Sequence, residues 1–421
     1  MSEWNRVPLE SLLKSGVSYG IVQPGSAEAT GVPIVRVKDV RNGRIDTSDP
    51  LRVSPDVEVK YSRTRLQGGE VLLTLVGSTG QVAVASDRLA GWNVARAIGV
   101  LRPISDISPR WLQYFIESEV AQQYIREHLN TTVQATLNLK DVRVLPVPLP
   151  PRQEREGIIS VIGALDDKIA VNERIANTAS ELASAHFRRQ FALALKHVSD
   201  GTPPPPEWTL STIGASASIV ETGTRPKGGV AQYTSGVPSI GAESVIGLGK
   251  FDFSKTKFIP EEFFTAMRRG IVQDRDILVY KDGGKPGDFK PHVTLFGNGF
   301  PFPKMCINEH VYRVRLMPSI GQEFCYYWLS SEPLMTEMRR RGTGAAIPGM
   351  NSTAFKNLPL VIPAPEIIES FTRVAAPLVD RALMSAAESR TLAALRDTLL
   401  PQLMSGRLRV KDAEKIVEDH T

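Results

Sequence analysis

Few residues of this chain are spaced for catalysis. Glu58-Val59-Lys60 has the Glu-x-Lys spacing with which nucleases hold a metal and position water. Pro55-Asp56 lies directly before it, without the intervening sequence that brings a separate aspartate into place, so the tripeptide reads as a solvated loop. Gly247-Leu248-Gly249-Lys250 offers glycines and a lysine for a nucleotide phosphate. Phe251 follows, however, where magnesium would need a hydroxyl, and the full Gly-x-x-x-x-Gly-Lys-Ser/Thr loop is absent. There is no His-Glu-x-x-His, and the six histidines are scattered. Amino-methyltransferases use an Asn/Asp-Pro-Pro-aromatic tetrapeptide, but here Pro150-Pro151 is followed by Arg152 and the Pro203–Pro206 run by Glu207. Gly297-Asn298-Gly299 is too short for a methyl-donor loop, and Cys306 and Cys325 lack the spacing of a disulfide framework or zinc site. They read as ordinary, mostly buried thiols and no metal site is expected. The pattern is that of a binder.

Composition bounds what is bound. With 421 residues, 42% of them hydrophobic, the chain can bury two or three cores. A net charge of +5 leans mildly toward polyanions, because counterions are released when Lys and Arg meet phosphate. No run of eighteen apolar residues is present, so no membrane span is expected. The start, Met1-Ser2-Glu3-Trp4-Asn5, lacks a signal peptide's basic stretch and apolar core, and a cytoplasmic location is expected.

The elements that must position the binding residues come as a repeat. WNRVPLESLL from Trp4 is echoed by WTLSTIGASA from Trp208, Gly31-Val32-Pro33 by Gly236-Val237-Pro238, and Glu70-Val71-Leu72-Leu73-Thr74 by Asp276-Ile277-Leu278-Val279-Tyr280. Ser118-Glu119 and Ser331-Glu332, Asn138 and Asn351, Leu145-Pro146 and Leu358-Pro359, Pro150 and Pro363, and Asp167 and Asp380 all lie 213 positions apart. A shared offset across five pairs is a duplication. Each half begins β-rich, with short runs such as Val71–Val76, Gln81–Ala85 and Ile98–Leu101. A short helix follows (108–129, 321–341), then a proline-bounded strand (142–149, 358–362) and a long helix.

The first long helix is expected from about Arg152 to Lys196. Ile158, Ile162, Leu165, Ile169, Asn172, Ala176 and Ala179 step by four and three residues, which is coiled-coil periodicity. The second is expected from Pro365 to Met404, with Phe371, Val374, Leu378, Ala382, Leu392, Leu395, Leu399 and Leu403 as its stripe and Pro377 as a candidate kink. Neither helix is apolar all round, so the economical arrangement pairs them as an antiparallel coiled coil. Asn172 on the seam is either a polar residue tolerated at a solvated edge or a buried Asn that fixes register. The charged patch Asp166-Asp167-Lys168 reads as a solvated face. Four consecutive prolines between the halves make a stiff connector. The expected organisation is a first domain at 1–150, a helix at 151–197, a linker at 198–207, a second domain at 208–363, a helix at 364–405 and a tail at 406–421.

Several segments resemble the specificity subunits of type I restriction-modification enzymes. They are Leu145-Pro146-Val147-Pro148-Leu149-Pro150-Pro151-Arg152-Gln153-Glu154, then Ile162-Gly163-Ala164-Leu165-Asp166-Asp167-Lys168-Ile169 with Asn172. Leu399-Leu400-Pro401-Gln402-Leu403-Met404-Ser405-Gly406-Arg407-Leu408 resembles that family's closing segment, and Thr132-Val133-Gln134-Ala135-Thr136-Leu137-Asn138-Leu139 fits its pattern. The resemblance implies an α+β fold of two similar α/β target recognition domains separated by two long helices packed as an antiparallel coiled coil. Each domain would read one half of a split site in double-stranded DNA. The helices would set the spacer and dock two methyltransferase subunits, with restriction/translocase subunits joining for cleavage and phage defence. S-adenosylmethionine, ATP and magnesium would be bound by those partners and no cofactor by this chain, which would be non-catalytic. The second half departs from the pattern: Ala364-Pro365-Glu366-Ile367-Ile368-Glu369 lacks Pro-Arg-Gln-Glu, and Asp380-Arg381 stands in place of Asp167-Lys168.

On this reading the candidate DNA contacts are Arg36, Lys38, Arg63, Arg65 and the turn Gly77-Ser78-Thr79-Gly80-Gln81 in the first half. In the second half they are Arg225, Lys227, Lys281, the loop Gly283-Gly284-Lys285-Pro286, Lys290, Lys304 and Arg339-Arg340-Arg341. Glycine turns let the backbone approach a phosphate closely. Asp166, Asp167, Lys168, Asn172, Asp380 and Arg381 are the candidate partner contacts. Two other readings compete: a nuclease or methyltransferase with a degenerate motif, and a scaffold whose helices assemble proteins without DNA.

Overall fold

The computed structural model describes residues 4–420 apart from 26–27, 131–133, 284–287 and 343–347. The chain forms two compact units, Met1–Asp167 with Ala393–Thr421, and Lys168–Leu392, so the division falls inside both long helices.

In the first unit, Ser18–Tyr19, Ile98–Leu101, Val71–Thr74 and Val82–Val84 lie in that order in an antiparallel sheet. A second sheet orders Leu51–Val53, Val32–Val35 and Asn93–Val94, and its last two strands run parallel, with Ile34 opposite Asn93. Asn5–Pro8 pairs antiparallel with Pro146–Leu149, which brings the two ends of the domain together. The second unit repeats this arrangement. Ala217–Thr222, Val311–Leu316, Ile277–Tyr280 and Val293–Leu295 form its first sheet, and Lys257–Ile259, Val237–Ile240 and Cys306–Ile307 its second. There too the last two strands run parallel, with Ser239 opposite Cys306, and Thr209–Thr212 pairs with Pro359–Ile362.

The duplication extends to individual atoms. A Cβ on Gly31 would lie 2.2 Å from the Val53 carbonyl oxygen, and one on Gly236 2.3 Å from that of Ile259. Only glycine admits this close approach of neighbouring strands. Val71–Thr74 is buried at every position, as a strand covered on both faces must be.

Two helical expectations are corrected. The stretch 108–129 is two helices, Pro109–Glu117 and Glu119–Glu127, because Ser118 turns extended and its Oγ accepts the Ala121 amide at 3.5 Å. Gln322–Leu329 and Glu332–Arg341 repeat the break at Ser331. The expected strand 142–149 is shorter, since Leu139–Arg143 is a helical turn leading into Pro146–Leu149.

The first long helix runs Arg152–Gln190 and stops short of Lys196. Phe191 leaves helical geometry at φ −109°, ψ 24°, and a separate helix covers Ala192–Asp200. Tertiary packing outweighs continuation there: the fully buried Phe191 ring lies 5.0 Å from that of Phe324 and 5.4 Å from that of Phe371. The second long helix runs Pro365–Met404, uninterrupted at Pro377.

The two helices pack antiparallel. In the second unit, Gln190 Nε2 donates to the Ile367 carbonyl at 3.0 Å, the Phe187 and Phe371 rings are 5.5 Å apart, and Asn172 Nδ2 donates to Glu388 at 2.8 Å. In the first unit, Arg396 donates to Asp166 at 2.9 Å. Asn172 is 1% exposed, so of its two readings the buried one describes the protein. Beyond the second helix, Val410–Glu418 is helical, and the Val410 methyls lie against Gly157.

Candidate nucleic-acid interface

A buried carboxylate precedes the third strand of each large sheet and fixes the turn that leads into it. In the first half Glu70, 2% exposed, accepts the Gln67 amide at 2.8 Å and the Gly68 amide at 3.0 Å, with Arg102 Nε at 3.5 Å. At the other end of that strand, Thr74 Oγ1 donates to the Ser78 carbonyl at 2.6 Å and accepts the Gln81 amide at 2.9 Å. This clasp closes the glycine turn Gly77–Gln81, leaving Ser78 exposed. Thr79 Oγ1 reaches the Ala135 carbonyl at 3.3 Å, and Gln81 Oε1 accepts the Asn42 amide at 3.4 Å.

In the second half Asp276, fully buried, accepts the Gln273 amide at 2.7 Å and Arg315 Nε at 2.8 Å, and is ion-paired with Arg313. Arg313 also donates to Glu221 at 2.8 Å. The strand leads to Lys281, whose Nζ lies 2.8 Å from Asp282 and 6.0 Å from the centre of the Tyr312 ring. Asp282 in turn bonds His310. Burial pushes the Tyr312 phenol far above its ordinary value, and its hydroxyl donates to the Met350 carbonyl at 2.8 Å. Lys281, Asp282 and Tyr312 line a polar cavity of about 620 Å³ together with Arg269, Glu221 and Asn351. Gly284, Lys285 and Pro286 lie outside the described residues, as do Thr132 and Val133 of the sequence motif.

Most of the candidate cations have carboxylate partners within the chain. Arg36 grips Asp39 through Nε at 2.9 Å and a second nitrogen at 3.0 Å, and Lys38 approaches Asp49 at 3.8 Å. Arg65 donates to Glu58 at 2.8 Å. Arg225 pairs with Glu309, Lys290 with Asp288 at 2.9 Å, and Lys304 with Glu261 at 2.5 Å. Arg339 pairs with Glu332 at 2.8 Å, Arg340 with Glu337 at 2.8 Å, and Arg341 with Glu337 at 3.0 Å and the Asn357 carbonyl at 2.7 Å. Arg63 and Lys227 are exposed, with no partner for either side chain among the described residues. Arg268 and Arg269 share that state, and sequence reasoning passed over both because a lone Arg-Arg pair carries no periodic or motif signal.

The Glu58 tripeptide is corrected. Glu58 is 3% exposed rather than solvated, and its carboxylate is occupied by Arg65 and by Asn93 Nδ2 at 2.9 Å. The Arg65 hydrogen bonds hold the carboxyl below its ordinary value.

Residues 1–181 match the family model described as the type I restriction modification DNA specificity domain. The chain is 28% identical over 160 residues to the Type I restriction enzyme EcoBI specificity subunit of Escherichia coli, an alignment covering 37% of this chain and 34% of that protein. Against the Type I restriction enzyme MjaIX specificity subunit of Methanocaldococcus jannaschii, identity is 20% over 425 residues, 97% of this chain and 95% of that one. Over these alignments the chain is similar to type I specificity subunits. The crystal structure of the type I restriction-modification S subunit from M. genitalium shares its fold, with a TM-score of 0.56 at 13% identity over 95% of this chain and 96% of that one.

The candidate partner contacts on the helices are also engaged within the chain. Asp166 accepts the Tyr114 hydroxyl at 2.9 Å as well as Arg396, and Asp167 accepts Arg110 at 2.6 Å. Lys168 lies 3.3 Å from Glu388, and Asp380 pairs with Arg275, which reaches Glu323 at 2.6 Å. Arg381 is exposed. None of the helices in the described residues is long and apolar enough to cross a membrane.

Proposed function

We propose that this chain is a type I specificity subunit that reads an interrupted site in double-stranded DNA without catalysing any reaction itself, each recognition domain taking one half. The observation that carries the reading is the pair of sheets with the same strand order and register, in which the sequences that follow the equivalent strands Val71–Thr74 and Ile277–Tyr280 differ. One scaffold carrying two different sequences at these positions suits two different half-sites. The long helices set the spacer and dock two methyltransferase subunits, which bind S-adenosylmethionine. Restriction/translocase subunits bring ATP and magnesium, and the assembly works in the cytoplasm.

Helices of 39 and 40 residues are each roughly 60 Å long at about 1.5 Å per residue. Helices of that length suit recognition units placed near one DNA turn (~34 Å) or a multiple of it. The test is to sequence methylated positions in cells carrying this chain and its neighbouring subunits, then repeat with four residues deleted from each long helix. A bipartite motif is expected, with a shortened or abolished spacer in the deletion variant. Absence of any motif rejects DNA reading, and a motif with an unchanged spacer rejects the role given to the helices.

A further inference from the structure

The strand registers place Arg63 and Arg269 at one position of the repeat. Leu51–Val53 and Lys257–Ile259, each antiparallel to its sheet's middle strand, differ by 206 positions, as do the strands Val71–Thr74 and Ile277–Tyr280. Between them an equivalent backbone hydrogen bond recurs with its donor at that offset: the Leu66 amide donates to the Trp92 carbonyl at 2.8 Å, and the Val272 amide to the Met305 carbonyl, 213 positions after Trp92, at 3.0 Å. Arg63 and Arg269 each stand three residues before that amide.

The main chain at or beside each arginine is tied into a network that ends on a buried carboxylate, while both guanidinium groups are free among the described residues. The Arg63 carbonyl accepts Arg102 at 2.8 Å, and Arg102 is the arginine held by Glu70. Beside Arg269, the Gly270 amide donates to Glu221 at 2.8 Å, and Glu221 is joined through Arg313 to Asp276. Neither guanidinium has a partner among the described residues, although nearby cations do: Arg65 is taken by Glu58, and Lys304 by Glu261. Arg269 also borders the cavity shared with Lys281 and Asp282.

We propose that Arg63 and Arg269 are a matched pair of phosphate contacts, one for each half-site. The inference rests on the DNA-reading function proposed above. The sequences after the equivalent strands Val71–Thr74 and Ile277–Tyr280 differ between the halves, so a residue kept at one structural position answers to what two different half-sites share, and that is the phosphate backbone. A fixed main chain under a long, free cation suits the task, because it positions the charge without consuming it.

The test uses the chain with its methyltransferase subunits and a duplex bearing the motif found by methylation sequencing, with KCl titrated from about 50 to 200 mM. Arg63→Ala and Arg269→Ala should each weaken binding and reduce the slope of log K against log[KCl] by about 0.9, and the double variant by about 1.8. The methylated motif should stay the same, and Arg63→Lys and Arg269→Lys should keep the wild-type slope. Unchanged slopes in the alanine variants overturn the pair, and so does relaxed sequence preference in one half of the motif, which would mark a base contact. A wild-type complex that yields no motif overturns the DNA-reading function itself, whereas a wild type that binds while the variants keep its slope overturns only this inference.

Discussion

The two units join recognition domain to helix by different chemistry at equivalent positions. In the second unit, Phe187 and Phe191 of the first helix side and Phe371 of the second long helix meet Phe324 and Tyr327 of the domain, with ring centres 5.0 to 6.0 Å apart. One carboxylate, Asp380, pairs at the edge with Arg275. In the first unit the matching carboxylate, Asp167, takes its arginine from Arg110, which occupies the position where the second half has Glu323. Tyr114, Asp166 and Arg396 extend that polar network around the buried Ile158, Ile162 and Leu165. The duplication kept an acid on the helix and an arginine against it while the arginine moved to a different element. What persisted is the ion pair, not its donor residue. An aromatic joint responds little to salt and pH, whereas an ionic one responds to both.

The comparison breaks most sharply at the rings. Phe187→Ala should remove about 3–5 kcal/mol from the unfolding of the second unit, measured by denaturant titration, through lost transfer energy and the cavity left behind. A loss below about 1 kcal/mol would mean that the rings are not what holds this joint. The buried acids sharpen it next. Asp276→Asn should destabilise by about 3 kcal/mol, because Arg315 loses its carboxylate and Arg313 is left with Glu221 alone beside a buried site. Glu70→Gln should cost less, since one arginine faces Glu70 at 3.5 Å. Equal losses would show that the second arginine contributes nothing.

The smallest effect is a pH dependence confined to the first unit. Burial raises the Glu117 carboxyl to about 7, with Gln113 and Arg396 opposing the shift and Asp166 and Asp397 adding to it. A carboxyl raised in the folded state leaves stability intact below its ordinary value near 4.5, and stability falls as pH rises through 7. Glu117→Gln carries no such charge. Its melting temperature should match wild type near pH 4.5 and exceed it by about 2–4 °C at pH 8. A constant difference across that range would remove the titration from the account.

The helical seam and the repeat were readable from residue types alone. Ile158, Ile162, Leu165 and Ile169 are buried, as their spacing requires, and the halves share strand order. The break at Phe191 was not readable, because the rings that pull it out of the helix, Phe324 and Phe371, are more than a hundred residues away. Nor could sequence separate Arg65, already paired with Glu58, from Arg63 two residues before it.

Sequence by itself determined the duplication, the antiparallel helix pair and the lack of recognisable catalytic motifs, because periodicity and motif spacing are properties of neighbouring residues. Tertiary structure decided which charges remain available. An ion pair depends on a separation of a few ångströms between groups such as Arg313 and Glu221, 92 residues apart, and only the folded chain sets that distance.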